Sequence, residues 1–193
     1  MTAVYSVSRE IKKATDKSGQ PQANDYGGCF YTVAFTTDRE IQLLGLKFYG
    51  PAKQNVGTYL VDYKIVKTVE VENEYPGLVA WIGESFLTLL NYLNVWDIFG
   101  PGPYVREVQL FQPKSRVTIP MVAKGETFTV QFPRPVVITP NELTEIKFEL
   151  VGPKTEYGVV RYDPIVVPLK DESHVTFNFL RGSCQLPEVL FTV

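Results

Sequence analysis

Residues 57–66 read GTYLVDYKIV, and this stretch decides the fold class. Large apolar side chains occupy positions 59, 61, 63 and 65, and they alternate with a row that contains Asp62 and Lys64. A strand that is buried on one face needs this period of two. The stretch therefore predicts a β-strand with one face on a core.

The same alternation recurs at 31–35, 128–132, 146–150, 175–179 and 189–193. Turn signals separate these runs at short spacing. They are Tyr26-Gly27-Gly28, Thr37-Asp38-Arg39, Gly50-Pro51, Ala123-Lys124-Gly125, Pro140-Asn141 and Gly152-Pro153. Many short strands between such turns predict an all-β fold, an antiparallel β-sandwich of jelly-roll-like kind. Pro133 and Pro135 predict an edge crossing or a bend, because proline cannot donate to a strand ladder.

One segment breaks the pattern. Residues 77–99 read GLVAWIGESFLTLLNYLNVWDIF and are apolar almost all round, apart from a narrow stripe that includes Glu84, Thr88 and Asn91. Pro76 precedes the segment and Gly100-Pro101-Gly102-Pro103 follows it, so we expect a helical insertion at about 77–100. Polar residues along most of its length argue against a membrane span.

The apolar side chains of this insertion need shelter from water. The helix could dock on the flank of the sandwich, leave a patch open for a protein partner or a second copy of the chain, or cover a cavity that holds a lipid-like molecule. Attachment to a membrane surface is disfavoured because the helix lacks Lys and Arg. The residues expected to bind a partner are the large ones, since such groups dominate interface energies. They are Trp81, Leu89, Tyr92, Trp96 and Phe99.

The length of 193 residues favours one domain. We expect a flexible or loosely docked arm at 1–23, then a single sandwich at 24–193 that carries an insertion at 67–124. The first fifteen residues contain charged side chains and no apolar run, which predicts no signal peptide and a cytoplasmic protein. Cys29 and Cys184 are expected to be buried free thiols rather than a disulfide.

The composition excludes several function classes. A net charge of -2 is not the footprint of a nucleic-acid binder. Two cysteines and one histidine make a zinc site improbable. Phosphate-binding glycine loops and calcium loops are missing from the sequence, so no cofactor is expected.

The sequence also lacks most parts of an enzyme. His174 is the one imidazole, and a pair with Cys184 is left open, but no nucleophile signature surrounds Cys184. Glu145 and Glu149 alternate with Lys147 and are interpreted as a solvent-facing row rather than catalytic carboxylates. We therefore expect a protein that is not an enzyme.

Several runs in order along the chain resemble the PHR domain. In the first half they are Asp38-Arg39-Glu40-Ile41, Leu44-Gly45-Leu46, Phe48-Tyr49-Gly50 and Gly57-Thr58-Tyr59. In the second half they are 128–132, Pro135-Val136, Pro140-Asn141, Leu150 with Gly152-Pro153, Tyr157-Gly158, 175–179, Gly182 and 186–191.

PHR domains are β-sandwiches of neuronal RING-type ubiquitin ligases and of BTB proteins thought to act as cullin adaptors. The resemblance implies a protein-interaction module. It does not carry over a ligase role, because the chain has no RING cysteines. The expected function is thus non-enzymatic binding of a protein partner, or self-association, through loops and the insertion helix. The alternative is a carrier of an apolar small molecule.

Overall fold

The computed structural model describes residues 3–70, 105–109 and 115–193. This part of the chain is all-β, with 15 strands and no helix. The first eight strands are β1 (Tyr5–Ser8), β2 (Glu10–Lys13), β3 (Ala23–Asn24), β4 (Tyr31–Thr37), β5 (Ile41–Tyr49), β6 (Val56–Glu70), β7 (Val105–Gln109) and β8 (Ser115–Ala123). The others are β9 (Thr127–Ile138), β10 (Thr144–Val151), β11 (Thr155–Glu156), β12 (Gly158–Val160), β13 (Ile165–Pro168), β14 (His174–Gly182) and β15 (Glu188–Thr192).

Two antiparallel sheets dominate the described residues. A four-stranded sheet has the order β1-β15-β5-β9, and a seven-stranded sheet has the order β13-β14-β4-β10-β6-β7, with β8 also paired to β6. Two short ribbons, β11 with β3 and β12 with β2, complete the strand pairing. The prediction of an all-β, antiparallel fold is confirmed.

The core lies where the two large sheets face each other, as in a sandwich. The predicted inward rows are buried apart from Tyr31 and Val193, and they include the residues at 59, 61, 63 and 65 in β6. Aromatic rings meet across the two layers: the ring centroids of Phe48 and Phe148 lie 5.0 Å apart, as do those of Tyr59 and Phe128. Ring pairs of this kind fill volume and hold a fixed geometry, so the core is rigid enough to position loops.

The prediction for Pro133 and Pro135 is also confirmed. β9 is the edge strand of the four-stranded sheet. Its pairing with β5 shifts register between Leu43 and Gly45, which face Val136 and Gln131, so both prolines lie in a bulge between these pairs. An edge bulge is where a residue without an N–H donor is tolerated.

The N-terminal residues differ from the loosely docked arm expected at 1–23. β1 forms one edge of the four-stranded sheet through β15, and Val7 is buried. β2 and β3 then pair with β12 and β11. The strands are only two to four residues long and rich in charge, so their period is too short to stand out in the sequence.

The interpretation of Glu145 as part of a solvent-facing row is wrong. Its side chain is 4% exposed and lies 3.2 Å from Lys147 Nζ. On the neighbouring strand β6, the Asp62 side chain is 5% exposed and accepts two hydrogen bonds of 2.8 Å from Arg116. The alternation of apolar and polar residues assigns a residue to one face of the sheet but does not say whether other side chains cover that face. This explains why Glu145 was wrongly interpreted as solvent-facing.

The chain divides into two compact units, one of residues 1–67 and 109–193 and one of residues 68–108. β8 pairs with β6, so Ser115–Ala123, which falls within the insertion expected at 67–124, is part of the seven-stranded sheet. The helix expected at 77–100 lies outside the described residues. In the described ranges no helix has the length and apolar character needed to cross a membrane.

Candidate functional site

A cleft of about 690 Å³ opens at one end of the larger compact unit, where four turns meet. Lys53 comes from the turn after β5, Lys124 from the turn between β8 and β9, and Lys154 from the turn after β10. The fourth wall is the segment between β2 and β3, which contributes Asp16 among others. We call this site the lysine cleft. Its volume lies within the usual range for ligand sites, about 300–1,000 Å³.

Backbone hydrogen bonds fix the turns that carry the three lysines. The amide of Lys124 donates to the Asn55 carbonyl at 2.9 Å, and the Lys154 carbonyl accepts from the Ala52 amide at 3.1 Å. Gly125 has a φ of 76°, which closes the tight turn after Lys124, and its amide donates to the Pro51 carbonyl at 3.1 Å. The lysine positions are therefore set by the sheet, while their side chains are exposed.

The N-terminal wall is stabilised by its own polar contacts. Asp16 Oδ1 accepts hydrogen bonds from the Ser18 amide at 2.8 Å, the Ser18 hydroxyl at 2.6 Å and the Gln20 amide at 3.0 Å. The Ser18 hydroxyl contributes most to lowering the pKa of Asp16, followed by the backbone amides. Tyr157 donates its hydroxyl proton to Gln22 Oε1 on the same wall. Asp16, the one acid among the described lining residues, thus keeps its charge at neutral pH, and one of its oxygens accepts the hydrogen bonds of the turn.

The charge of the lysine cleft contrasts with that of the whole chain. Three lysines and one aspartate line it, whereas the chain carries a net charge of -2. Among the described residues, no carboxylate forms an ion pair with Lys53, Lys124 or Lys154. The lysine cleft is therefore a local positive site on an acidic protein.

Lys13, close behind the cleft, has a structural role instead. Its Nζ atom lies 2.7 Å from Glu156 Oε2 and donates to the Gly125 carbonyl at 2.8 Å. The Glu156 side chain is 4% exposed. This contact ties β2 to β11 and to the turn that carries Lys124.

A second polar group is fully enclosed. Arg9 is 0% exposed, and its Nη1 donates to the carbonyls of Ser183 at 3.3 Å and Leu186 at 3.4 Å. Burial lowers the pKa of Arg9. The guanidinium of Arg9 stacks on the Phe179 ring. Arg9 therefore lies between the N-terminal strands and the loop after β14. It lines no part of the lysine cleft.

The structure does not bring His174 and Cys184 together. His174 begins β14, and Cys184 follows its end by two residues. β14 has nine residues and spans roughly 26 Å at about 3.3 Å per residue. Both cysteines are free, as predicted, but Cys29 is exposed and Cys184 is half-buried, so the prediction that both are buried is wrong. The described part of the chain holds no cluster of side chains suited to a metal ion.

The residues predicted to bind a partner, Trp81, Leu89, Tyr92, Trp96 and Phe99, lie outside the described residues. The lysine cleft was not predicted from the sequence. Each of its lysines falls within or close to a predicted turn signal, at Gly50-Pro51, Ala123-Lys124-Gly125 and Gly152-Pro153. That coincidence is the signal that could have found the site.

No family model matches this chain, and no curated protein matches it by sequence.

Proposed function

We propose that the chain is a non-enzymatic protein-interaction module, similar to a PHR domain, that binds a protein partner through a loop surface. The observation that carries this proposal is the lysine cleft. Four turns on a rigid sandwich-like fold build it, and their backbones are fixed by hydrogen bonds. Loops positioned by a rigid scaffold are where binding residues concentrate in proteins.

The sequence of residues 77–99 supports a second contact surface on the same module. Its large apolar residues, Trp81, Leu89, Tyr92, Trp96 and Phe99, are of the types that dominate interface energies. A contact through these residues could serve a partner or a second copy of the chain. A cytoplasmic setting belongs to the proposal and is supported by the two free thiols.

The lining of the lysine cleft gives no support to the alternative of a lipid carrier. An apolar ligand requires a pocket walled mainly by apolar side chains, whereas lysines, glutamines and an aspartate form much of this wall.

Affinity capture from native extract tests the proposal. We would compare the wild-type chain with Trp96→Glu, with the triple variant Lys53→Gln/Lys124→Gln/Lys154→Gln, and with the control Lys170→Gln. Lys170 is exposed and lies in the turn between β13 and β14, away from the cleft. We expect a stoichiometric partner that at least one of the first two variants loses while circular dichroism shows the sheets intact. The proposal would be contradicted if the chain stays monomeric and if neither variant changes the set of captured proteins.

A further inference from the structure

We infer that the lysine cleft is the binding site for an acidic linear segment of a protein partner, held by its Asp and Glu carboxylates. This inference rests on the proposed function and gives the partner its chemistry. The first argument is charge. Lys53, Lys124 and Lys154 meet at one cleft and have no carboxylate partner among the described residues. Three like charges held close together repel one another, so a ligand that brings negative charge relieves that repulsion.

The second argument is the position of Asp16. Among the described residues its carboxylate forms no ion pair with the three lysines, and Oδ1 instead accepts three hydrogen bonds from Ser18 and Gln20. The aspartate therefore shapes the wall, and the cleft keeps its positive excess. A single negative charge at the rim also penalises a densely charged polyanion more than a segment whose acids are spaced out.

The third argument is the kind of cation present. An ammonium group is a compact point charge on a flexible stem and can follow carboxylates at different positions along a segment, whereas a guanidinium offers a planar fork that fits one carboxylate or phosphate in a fixed geometry. The described residues of the lining include lysines and no arginine. It also offers the side chains of Gln20 and Gln22, whose amides can pair with the main chain of an extended segment.

Two features argue against nucleic acid as the occupant. Single-stranded nucleic acid is held by aromatic platforms on which bases stack. In the part of the chain that the structure describes, Tyr157 is the one aromatic ring of the lining, and its hydroxyl is bonded to Gln22. The net charge of -2 also repels a long polyanion. A short acidic stretch of protein needs no stacking platform and carries fewer charges for the net charge of -2 to repel.

The test is a titration of the isotope-labelled 193-residue chain with an end-blocked peptide of alternating Ser and Glu, followed by backbone amide NMR. The control peptide has Gln in place of Glu. We expect the Glu peptide to shift the amides of the four cleft turns in a saturable way, and the Gln peptide to leave them unchanged. Each of Lys53→Gln, Lys124→Gln and Lys154→Gln should weaken binding about two- to fivefold, as expected for exposed ion pairs.

The triple lysine variant should weaken binding about eightfold or more if the three effects add in free energy, and Lys170→Gln should leave it unchanged although it removes a positive charge from the same protein. Added salt should weaken the wild-type complex, because the contacts are exposed.

Tripolyphosphate, a thymidine oligonucleotide and phosphatidylserine vesicles serve as competing anions. If any of these occupies the cleft more tightly than the Glu peptide, or if the Glu and Gln peptides behave alike, the inference is overturned.

The outcomes separate this inference from the proposed function. If the Glu peptide does not bind but Trp96→Glu still loses a captured partner, the proposed interaction module stands and the inference of an acidic segment is wrong. If the peptide binds as expected and no protein partner is captured, the cleft chemistry stands and the proposed function is wrong.

Discussion

The guanidinium carbon of Arg9 lies 4.8 Å from the centroid of the Phe179 ring, and neither residue has more than 2% of its surface exposed. Such a contact between a cation and the face of an aromatic ring is favourable when water is excluded. Among the described residues no carboxylate is paired with Arg9, and its Nε and Nη2 atoms have no hydrogen-bond partner. Arg9 thus joins the N-terminal strands to the loop after β14 mainly through packing.

Replacement of Arg9 should reveal that packing outweighs charge at this position. Arg9→Ala leaves a cavity and should lower the free energy of unfolding by about 2–5 kcal/mol. Arg9→Met keeps the long side chain and removes a desolvated charge, so it should cost less than about 1.5 kcal/mol or stabilise the fold. Urea unfolding of both variants measures the difference. A methionine variant as unstable as the alanine variant would show that the charge itself is required.

Buried tyrosines should make the fold sensitive to alkali. Burial is the main cause that raises the pKa of Tyr26, Tyr49, Tyr59 and Tyr63 above the ordinary value of about 10. A raised pKa in the folded state means that the neutral hydroxyl is favoured there. The stability from these groups is therefore complete below about pH 10 and is lost as the pH rises above it.

Tyrosinate absorbance during a rise in pH measures this sensitivity. The four buried tyrosines should ionise only above pH 10, in a cooperative step that coincides with the loss of circular dichroism. Ionisation of all tyrosines in one step near pH 10, with the fold intact, would contradict the burial of these hydroxyls.

Gly45 is needed because two backbones approach each other there. A Cβ atom added at Gly45 would lie 2.6 Å from the Val130 carbonyl oxygen, at the point where β5 and β9 shift register. We expect Gly45→Ala to cost about 1–3 kcal/mol of unfolding free energy, as overpacking does. Gly27→Ala is the matched control, since its nearest contact would be an ordinary 3.4 Å, and it should change stability by less than about 0.5 kcal/mol. Equal effects of the two variants in thermal unfolding would refute the close approach.

The pair of Lys13 and Glu156 should behave asymmetrically. Glu156 is buried and Lys13 is 40% exposed, so loss of the lysine leaves a carboxylate in the interior without its cation. Lys13→Met should therefore destabilise the fold more than the double variant Lys13→Met/Glu156→Gln does, with a coupling of order 1 kcal/mol after allowance for solvent screening. Chemical unfolding of Lys13→Met, Glu156→Gln and the double variant gives that coupling. Additive effects would mean that the two side chains act independently.

Much of the fold could be predicted from the sequence, because apolar and polar residues alternate with a period of two along a strand that has one buried face. That period located β4, β6, β9, β10, β14 and β15, and their inward residues are buried apart from Tyr31 and Val193. It failed for β1 to β3, which are too short to show a period. It also failed for Glu145, because a polar residue on the outer face is exposed only if nothing covers that face.

The lysine cleft depends on information that period and composition do not contain. Lys53, Lys124 and Lys154 are separated by 71 and 30 positions in the sequence. They meet because β5, β8 and β10 all end on the same side of the sheets. A prediction of strand order, rather than of strands, would have been needed to place them together.

Zero-length cross-linking tests the central claim most directly, since a carbodiimide couples a lysine to a carboxylate only when the two are in contact. It would be applied to the chain with its captured partner, and the linked peptides would be identified by mass spectrometry. We predict links from Lys53, Lys124 or Lys154 to Asp or Glu residues within one short segment of the partner. A complex that forms but is linked only through lysines outside the cleft, such as Lys170, would contradict the account.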